Sequence, residues 1–135
     1  MKKYNVGIVG YGWVASAHIP AINATTLGQV TAVCSSRKLS AADLSSRHGR
    51  PMQVHNDLDA LLADPAVDVV SLCSFPNQHA EQAIRAARAR KHLIIEKPLC
   101  LSPNELRAMR RAVAGSGVKT CVCFECRFSS QFLAT

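Results

Sequence analysis

Residues 96–98 have the types and the spacing that suit proton transfer. Glu96-Lys97-Pro98 directly follows residues 92–95, an apolar run that is typical of a buried strand. A lysine at the end of a buried strand, next to proline, has a more restricted position than a surface lysine. Partial burial beside another positive charge would favour the neutral amine of Lys97 and suit it to proton transfer, and Glu96 could orient it. A strand-end ion pair accounts for the same residues equally well, so both interpretations stay open.

A histidine follows another apolar run, residues 68–73. Residues 74–79 read S-F-P-N-Q-H, and the proline and asparagine in this segment are typical of a helix start, which places His79 in the first turn. Imidazole changes its charge near neutral pH, so His79 could assist proton transfer or position another group. A structural or solvated histidine is the alternative interpretation.

The N-terminal segment contains a glycine pattern that fits a phosphate-binding turn. Residues 4–9 are apolar and β-branched, and residues 10–15 follow as G-x-G-x-x-A. Gly10 would permit a tight exit from the strand, Gly12 would let a pyrophosphate approach the backbone, and Ala15 would let the next helix lie close to the sheet. The N-terminus of that helix would face the phosphates. A purely structural turn has the same pattern, so the strand before it and the helical pattern after it favour the binding interpretation.

The end of the second predicted strand bears on the choice of dinucleotide. It reads Ser35-Ser36-Arg37-Lys38, with no acidic residue to hold the ribose hydroxyls of NAD. Hydroxyl groups followed by Arg37 suit a 2′-phosphate through charge-assisted hydrogen bonds, and the guanidinium could also lie over an adenine. The pattern therefore favours NADP over NAD, and an ordinary solvated turn that opens the next helix is the alternative.

Strand and helix patterns alternate along the whole chain. This alternation predicts an α/β fold with a doubly wound parallel sheet, and right-handed crossovers predict the strand order 3-2-1-4-5-6. In such a sheet ligands bind beyond the carboxyl ends of the strands. Pro20 lies inside the first predicted helix, residues 15–25, and is expected to break or kink it. The predicted strands cover residues 4–9, 30–34, 52–54, 68–73, 92–95 and 118–124.

Length, composition and charge narrow the class of protein. The chain has 135 residues, of which 48% are hydrophobic, and this predicts a single folded domain. A net charge of +7 suits an anionic partner such as a phosphorylated cofactor. Few aromatic residues and no recognition motif accompany the arginines, so we expect no nucleic-acid partner. The apolar runs are too short to span a bilayer and the N-terminus leads straight into a strand, so we expect a cytoplasmic protein without membrane contact.

Six cysteines raise the question of a metal site. Cys121, Cys123 and Cys126 contain C-x-C and C-x-x-C spacings, but no second pair of ligands follows at the spacing of a zinc site. Small hydrophobic side chains in a reducing compartment account better for these cysteines. We therefore expect no metal site.

Taken together, these segments resemble the Gfo/Idh/MocA oxidoreductases, which include glucose-fructose oxidoreductase and inositol dehydrogenases. The matching segments are residues 7–12, 18–21, 68–70, 76–79 and 92–98. The Glu-Lys-Pro element at its distance from the glycine turn is the specific part of the match. The resemblance implies a Rossmann domain over residues 1–124 and, in residues 125–135, the start of a connection to a second domain that this chain lacks.

The resemblance also implies roles for individual residues. Lys97 matches the family lysine implicated in proton transfer during hydride exchange, with His79 assisting or positioning, and Arg127 belongs to an Arg-Phe pair common after the sixth strand. Glu125 departs from the asparagine or similar residue expected near that point. The residues expected to contact the cofactor are Gly10, Gly12, Trp13, Val14, Ser35, Ser36, Arg37, Ser74, Phe75, Pro76, His79, Glu96, Lys97 and Arg127.

These roles predict an enzyme that depends on a nicotinamide cofactor. The expected reaction is hydride transfer between NADP or NAD and a sugar, polyol or similar hydroxyl or carbonyl compound. Because the missing domain would form the other wall of the substrate site, we expect this chain alone to bind cofactor without efficient turnover. An oligomer is possible. The alternative function is a non-catalytic sensor that binds the dinucleotide for regulation, and the retained Glu-Lys-Pro element weighs against it.

Overall fold

Strands and helices alternate in the computed structural model, which describes residues 3–133. The expected domain ranges 1–124 and 125–135 each include two residues outside this part of the chain. The strands are β1 (Tyr4–Val9), β2 (Gly28–Cys34), β3 (Gln53–His55), β4 (Val69–Leu72), β5 (His92–Glu96) and β6 (Thr120–Cys123). The helices are α1 (Ala15–Asn23), α2 (Ala41–His48), α3 (Leu58–Ala63), α4 (Pro76–Arg88), α5 (Pro103–Ser116) and α6 (Ser130–Leu133). A short 3₁₀ helix, Glu125–Phe128, follows β6.

The six strands form one parallel sheet in the order β3-β2-β1-β4-β5-β6. This confirms the predicted α/β class and strand order. Every predicted strand is present, with ends that differ from the prediction by at most two residues. The chain leaves β1 toward one edge of the sheet and β4 toward the other, so the carboxyl ends of these two strands flank the point where the strand order reverses.

Helices cover both faces of the sheet. On one face α3, α4 and α5 enclose an apolar cluster that includes Leu61, Leu72 and Ile95. On the other face α1 and α2 enclose a second cluster that includes Ile8 and Ile19. These five side chains are at most 2% exposed, and burial of each such side chain stabilises the fold by roughly 1.5–3 kcal/mol. Strands buried on both faces therefore read as continuous apolar runs in the sequence.

Pro20 was expected to break or kink the first helix, and the expected break does not occur. Helix α1 runs through Pro20 and ends at Asn23. Proline removes one backbone donor, but the carbonyl of Pro20 still accepts a hydrogen bond from Ala24 at 2.9 Å. Ile19 beside it is fully buried, so tertiary packing holds the helix together across the lost hydrogen bond.

Helix starts follow the capping residues in the sequence. The side chain of Asp57 accepts a hydrogen bond from Ala60 N–H at 2.8 Å, and that of Ser102 accepts one from Glu105 N–H at 3.2 Å. The carboxylate of Glu105 reaches back to the N–H of Leu101. Within the described residues, no helix is long and apolar enough to cross a membrane.

Candidate functional site

Gly10 and Gly12 serve different purposes in the turn after β1. Gly10 has φ +87°, and a Cβ on it would lie 2.8 Å from the carbonyl oxygen of Cys73. Only glycine lets this turn pack against the end of β4. A Cβ on Gly12 would meet nothing within 4 Å, so its backbone borders open space. The turn is therefore open at Gly12, where a phosphate group could approach the backbone in front of α1.

The start of α1 completes this region. Val14 precedes the helix and provides no side-chain cap. The N–H groups of Ser16 and Ala17 donate to the carbonyls of Trp13 and Val14 at 3.1 and 3.0 Å, so a ligand would have to use the N–H groups that precede Ser16. Ala15 is fully buried against the sheet, as the glycine pattern predicts, whereas the side chain of Trp13 is 85% exposed. The structure thus places Trp13 at the edge of the turn rather than in the core.

The end of β2 lies next to the glycine turn. The guanidinium carbon of Arg37 is 6.0 Å from the ring centroid of Tyr11, a geometry for cation–π attraction. The hydroxyl of Tyr11 lies 3.0 Å from Nε2 of His48 at the end of α2. Ser35 accepts a hydrogen bond from the N–H of Arg37 at 3.2 Å, and Ser36 is exposed beside it. Tyr11 therefore links the turn after β1 to the basic end of β2.

Two environmental effects act on His48. Burial and the positive charge of Arg47 lower the pKa of His48. A neutral imidazole is the form that can accept a hydrogen bond from the hydroxyl of Tyr11. The sequence reasoning missed Tyr11 because it occupies a variable position of the glycine pattern.

A side-chain hydrogen bond ties the segment after β4 to helix α4. The hydroxyl of Ser74 donates a hydrogen bond to Oε1 of Gln82 at 2.5 Å. Phe75 is 76% exposed, and Pro76 occupies the first turn of α4 as predicted. These residues line the sheet edge next to the glycine turn.

His79 is an internal bridge between two loops. Its side chain is 1% exposed, with Nδ1 2.8 Å from the carbonyl oxygen of Pro98 and Nε2 3.1 Å from that of Ser74. Both ring nitrogens thus face main-chain carbonyls and not open space. This geometry ties the segment after β4 to the segment after β5.

Glu96 holds the backbone next to Lys97. Its Oε2 accepts a hydrogen bond from the N–H of Lys97 at 3.1 Å, and its Oε1 lies 2.8 Å from Nε2 of His18. Nδ1 of His18 is in turn 2.9 Å from the hydroxyl of Ser71 on β4. A chain of contacts therefore runs from β4 through α1 to the backbone of Lys97.

The amine of Lys97 points away from this chain. Its side chain is 48% exposed, and Nζ lies 3.5 Å from Oε1 of Glu125. The strand-end ion pair considered in the sequence analysis thus involves Glu125, whereas Glu96 contacts the backbone of Lys97. Arg127 lies two residues further on, with its guanidinium carbon 5.8 Å from the ring of its neighbour Phe128.

His18 is a site residue that the sequence reasoning did not assign. It lies on α1, one turn after the glycine pattern, and reaches Glu96 across 78 residues of sequence. The segment that contains it matched the family pattern, but that match said nothing about its partner. The signal available was a histidine on the buried side of a helix that packs beside the site.

The turns after β1, β2, β4 and β5 thus lie along one edge of a doubly wound parallel sheet. A glycine turn after β1 that borders open space, a basic group after β2 and a lysine after β5 together define a Rossmann-type dinucleotide-binding domain. Residues 4–124 match the oxidoreductase family with an NAD-binding Rossmann fold known as Gfo/Idh/MocA, and the chain belongs to this family.

Curated relatives of this chain include an inositol dehydrogenase and a levoglucosan dehydrogenase. The chain is 28% identical over 128 residues to an inositol 2-dehydrogenase of Rhizobium meliloti, and 32% identical over 135 residues to a levoglucosan dehydrogenase of Pseudarthrobacter phenanthrenivorans. These alignments cover 95% and 94% of this chain but 38% and 34% of the relatives. The chain therefore spans well under half the length of these proteins.

A solved structure shows the same architecture. KijD10, a 3-ketoreductase from Actinomadura kijaniata in complex with TDP-benzene and NADP, matches this chain with a TM-score of 0.86 and 28% sequence identity. The match covers 98% of this chain and 42% of that protein. The six-stranded domain described above is thus the part that the two proteins share.

Cys73 is buried and Cys126 is exposed, so their thiols are expected to differ in reactivity. Burial raises the pKa of the Cys73 thiol to about 12, and the negative charge of Glu96 adds to this effect, whereas Cys126 is exposed. Since the thiolate is the nucleophile, we expect Cys73 to resist iodoacetamide near the ordinary thiol pKa of about 8.5 while Cys126 reacts readily. Peptide mass spectrometry after timed labelling of the folded chain measures both rates, with urea-unfolded protein as the control. Equal labelling of the two in the folded chain would contradict the packing of β4.

Proposed function

We propose that the chain is the cofactor-binding domain of an NAD(P)-dependent oxidoreductase and that it prefers NADP. The observation that carries the proposal is the arrangement of Gly12, Arg37 and Lys97 along one sheet edge. It offers a phosphate site, a cation beside it and a proton-transfer group further along. Sugars, polyols or similar hydroxyl and carbonyl compounds are the proposed substrate class, in line with the activities of the relatives.

The phosphate end of the site would hold the adenosine half of the cofactor. The pyrophosphate would lie against Gly10, Gly12 and the first turn of α1, because the space that a Cβ on Gly12 would fill is open. The hydroxyls of Ser35 and Ser36 and the guanidinium of Arg37 would bind the 2′-phosphate. The ring of Tyr11 supports this arrangement by holding the guanidinium near the turn.

The other end of the site would hold the nicotinamide, lined by residues 74–76. When bound, the nicotinamide supplies or accepts a hydride. Lys97 would hold or release a proton at Nζ, next to the oxygen of the substrate that becomes a hydroxyl or a carbonyl. Its half-exposed amine supports this role, because a group that exchanges a proton with substrate must reach open space.

Glu96 and His79 would position the lysine. Glu96 accepts the N–H of Lys97, and His79 lies against the carbonyl of the following residue, Pro98. With 1% exposure and both nitrogens on carbonyl oxygens, His79 is better placed to hold the loop than to touch substrate. Arg127 would contact the cofactor from the segment after β6.

Efficient turnover would require the part of the relatives that this chain does not span. Rate enhancement depends on holding substrate and catalytic groups in one geometry, and one wall of the site alone provides little of that contribution. We propose that residues 125–135 begin the connection to a second domain. The isolated chain would then bind cofactor and turn over substrate slowly or not at all.

Calorimetric titration of the chain with NADPH and with NADH tests the cofactor assignment. We expect tighter binding of NADPH, weakened roughly 10–100-fold by Arg37→Ala because a hydrogen bond to a charged group contributes about 1.5–3 kcal/mol. Binding of NADH should change little. Arg110→Ala, which removes the same charge from the exposed surface of α5, is the matched control. Equal affinities for both cofactors, unaffected by Arg37→Ala, would refute the NADP preference.

A further inference from the structure

Three potential metal ligands lie close together beside Lys97, although they come from parts of the chain that are distant in sequence. They are His18 on α1, Glu96 at the end of β5 and Cys123 at the end of β6, and all three are partly buried. One ligand atom of each, the imidazole nitrogen, a carboxylate oxygen and the thiol sulfur, lies within 4.8 Å of the other two. These separations allow a single ion to contact all three atoms after small side-chain movements.

The chemical types of the three atoms select a class of ion. Nitrogen, oxygen and sulfur together suit a borderline-soft divalent cation, and Zn²⁺ accepts each of these ligands in tetrahedral geometry. Magnesium and calcium prefer oxygen ligands, and iron–sulfur clusters require more thiolates than this cluster offers. A carboxylate and a thiolate together also balance the charge of a divalent ion.

Outer hydrogen bonds already orient two of the three ligands. Nδ1 of His18 lies 2.9 Å from the hydroxyl of Ser71, which leaves Nε2 on the side of the cluster. The second carboxylate oxygen of Glu96 accepts the N–H of Lys97. Metal-binding histidines and carboxylates in proteins are oriented by hydrogen bonds of this kind.

We propose that His18, Glu96 and Cys123 bind Zn²⁺ or a cation of the same class, with water in a fourth position. On binding, the thiol of Cys123 and Nε2 of His18 each lose a proton to solvent, and Nδ1 of His18 takes up one proton from solvent, so that the imidazole stays neutral and Nδ1 donates to the hydroxyl of Ser71. Oε1 of Glu96 and Nε2 of His18 then exchange their mutual contact for contacts to the ion. The site needs no dinucleotide, so it goes beyond the cofactor assignment. The C-x-C and C-x-x-C spacings take part only through Cys123.

Cobalt(II) titration of the full chain tests this site, because a thiolate bound to Co²⁺ gives a charge-transfer absorption band. The starting variant replaces the other accessible thiols with Cys100→Ser, Cys121→Ser and Cys126→Ser. We expect it to show the band with one equivalent of Co²⁺ and to lose it when Zn²⁺ is added. Adding Cys123→Ser should abolish the band, whereas Cys34→Ser, the matched buried control, should retain it.

Two further variants keep the cysteine and test its partners. His18→Gln should weaken Co²⁺ binding by more than about 100-fold, and Ser71→Ala by roughly 10–100-fold, as is typical for loss of an outer hydrogen bond. Circular dichroism confirms that each variant is folded. The proposed site would be overturned if the starting variant showed no band. It would also be overturned if the band persisted in Cys123→Ser, or if His18→Gln did not weaken Co²⁺ binding. None of these readouts depends on NADPH binding, so they are independent of the cofactor proposal.

Discussion

Lys97→Ala is expected to abolish turnover in a protein extended to the length of its relatives, lowering kcat by about 10²–10⁴-fold, the usual contribution of a positioned acid or base. Cofactor affinity should stay nearly unchanged. The substitution removes the half-exposed amine, but the backbone hydrogen bond from residue 97 to Glu96 and the contact of His79 with Pro98 do not involve the lysine side chain. Steady-state kinetics and calorimetric titration with NADPH measure the two effects separately.

A lysine at the opposite end of the sheet provides the control. Lys119 is exposed just before β6, so Lys119→Ala removes the same charge far from the site. Its kcat should match that of the unaltered protein. A kcat of Lys97→Ala close to that of the unaltered protein would refute the proton-transfer role, and a matching loss of NADPH affinity would make Lys97 a binding residue instead.

Gly10→Ala is expected to destabilise the fold by about 2–5 kcal/mol. Left-handed backbone costs about 1–2 kcal/mol for a residue with a Cβ, and overpacking against the carbonyl of Cys73 adds about 1–3 kcal/mol. Both costs follow from φ +87° and the 2.8 Å approach. Urea unfolding measures the change in the free energy of unfolding. Gly49→Ala separates the two terms, because Gly49 has φ +65° with nothing within 4 Å of its Cβ position.

Gly12→Ala should leave the stability of the fold almost unchanged and should weaken NADPH binding. Its Cβ meets no protein atom, so the free energy of unfolding should change by less than about 0.5 kcal/mol. NADPH binding should weaken roughly 5–150-fold, because a methyl group in a close-packed contact costs about 1–3 kcal/mol. Unchanged NADPH affinity in Gly12→Ala would mean that the glycine pattern is only a structural turn. Gly10→Ala as stable as the unaltered chain would contradict the packing of that turn on β4.

The proposed zinc site and the proposed cofactor site share Glu96. In the structure its carboxylate contacts both His18 and the backbone of Lys97. A bound cation would contact Oε1 of Glu96, and Oε2 would keep its hydrogen bond from the backbone N–H of Lys97. The two proposed functions therefore share one side chain, but they are tested by separate measurements, Co²⁺ absorption for the metal site and calorimetric titration for the cofactor site.

Much of the fold could be predicted from the sequence because its causes are local. Short apolar runs predict the strands, of which the central ones are buried on both faces. Asp57 and Ser102 begin helices through hydrogen bonds to residues three positions later. Handedness then limits how such units can connect, so the strand order followed. The helix does not break at Pro20, although the local rule allowed a break, because the burial of Ile19 holds the helix against the sheet.

The sequence by itself determined which strand ends carry polar and charged groups, and therefore the edge of the sheet where a ligand would bind. Which groups meet at that edge was decided only by the tertiary structure. His18 reaches Glu96 across 78 residues, and Lys97 pairs with Glu125, because α1, β5 and the turn after β6 converge in space. The spacing of residues along the chain does not indicate such contacts, because they arise from the way in which the helices cross over between the strands. The same convergence brings Cys123 beside a histidine and a carboxylate that its own spacing motif does not contain.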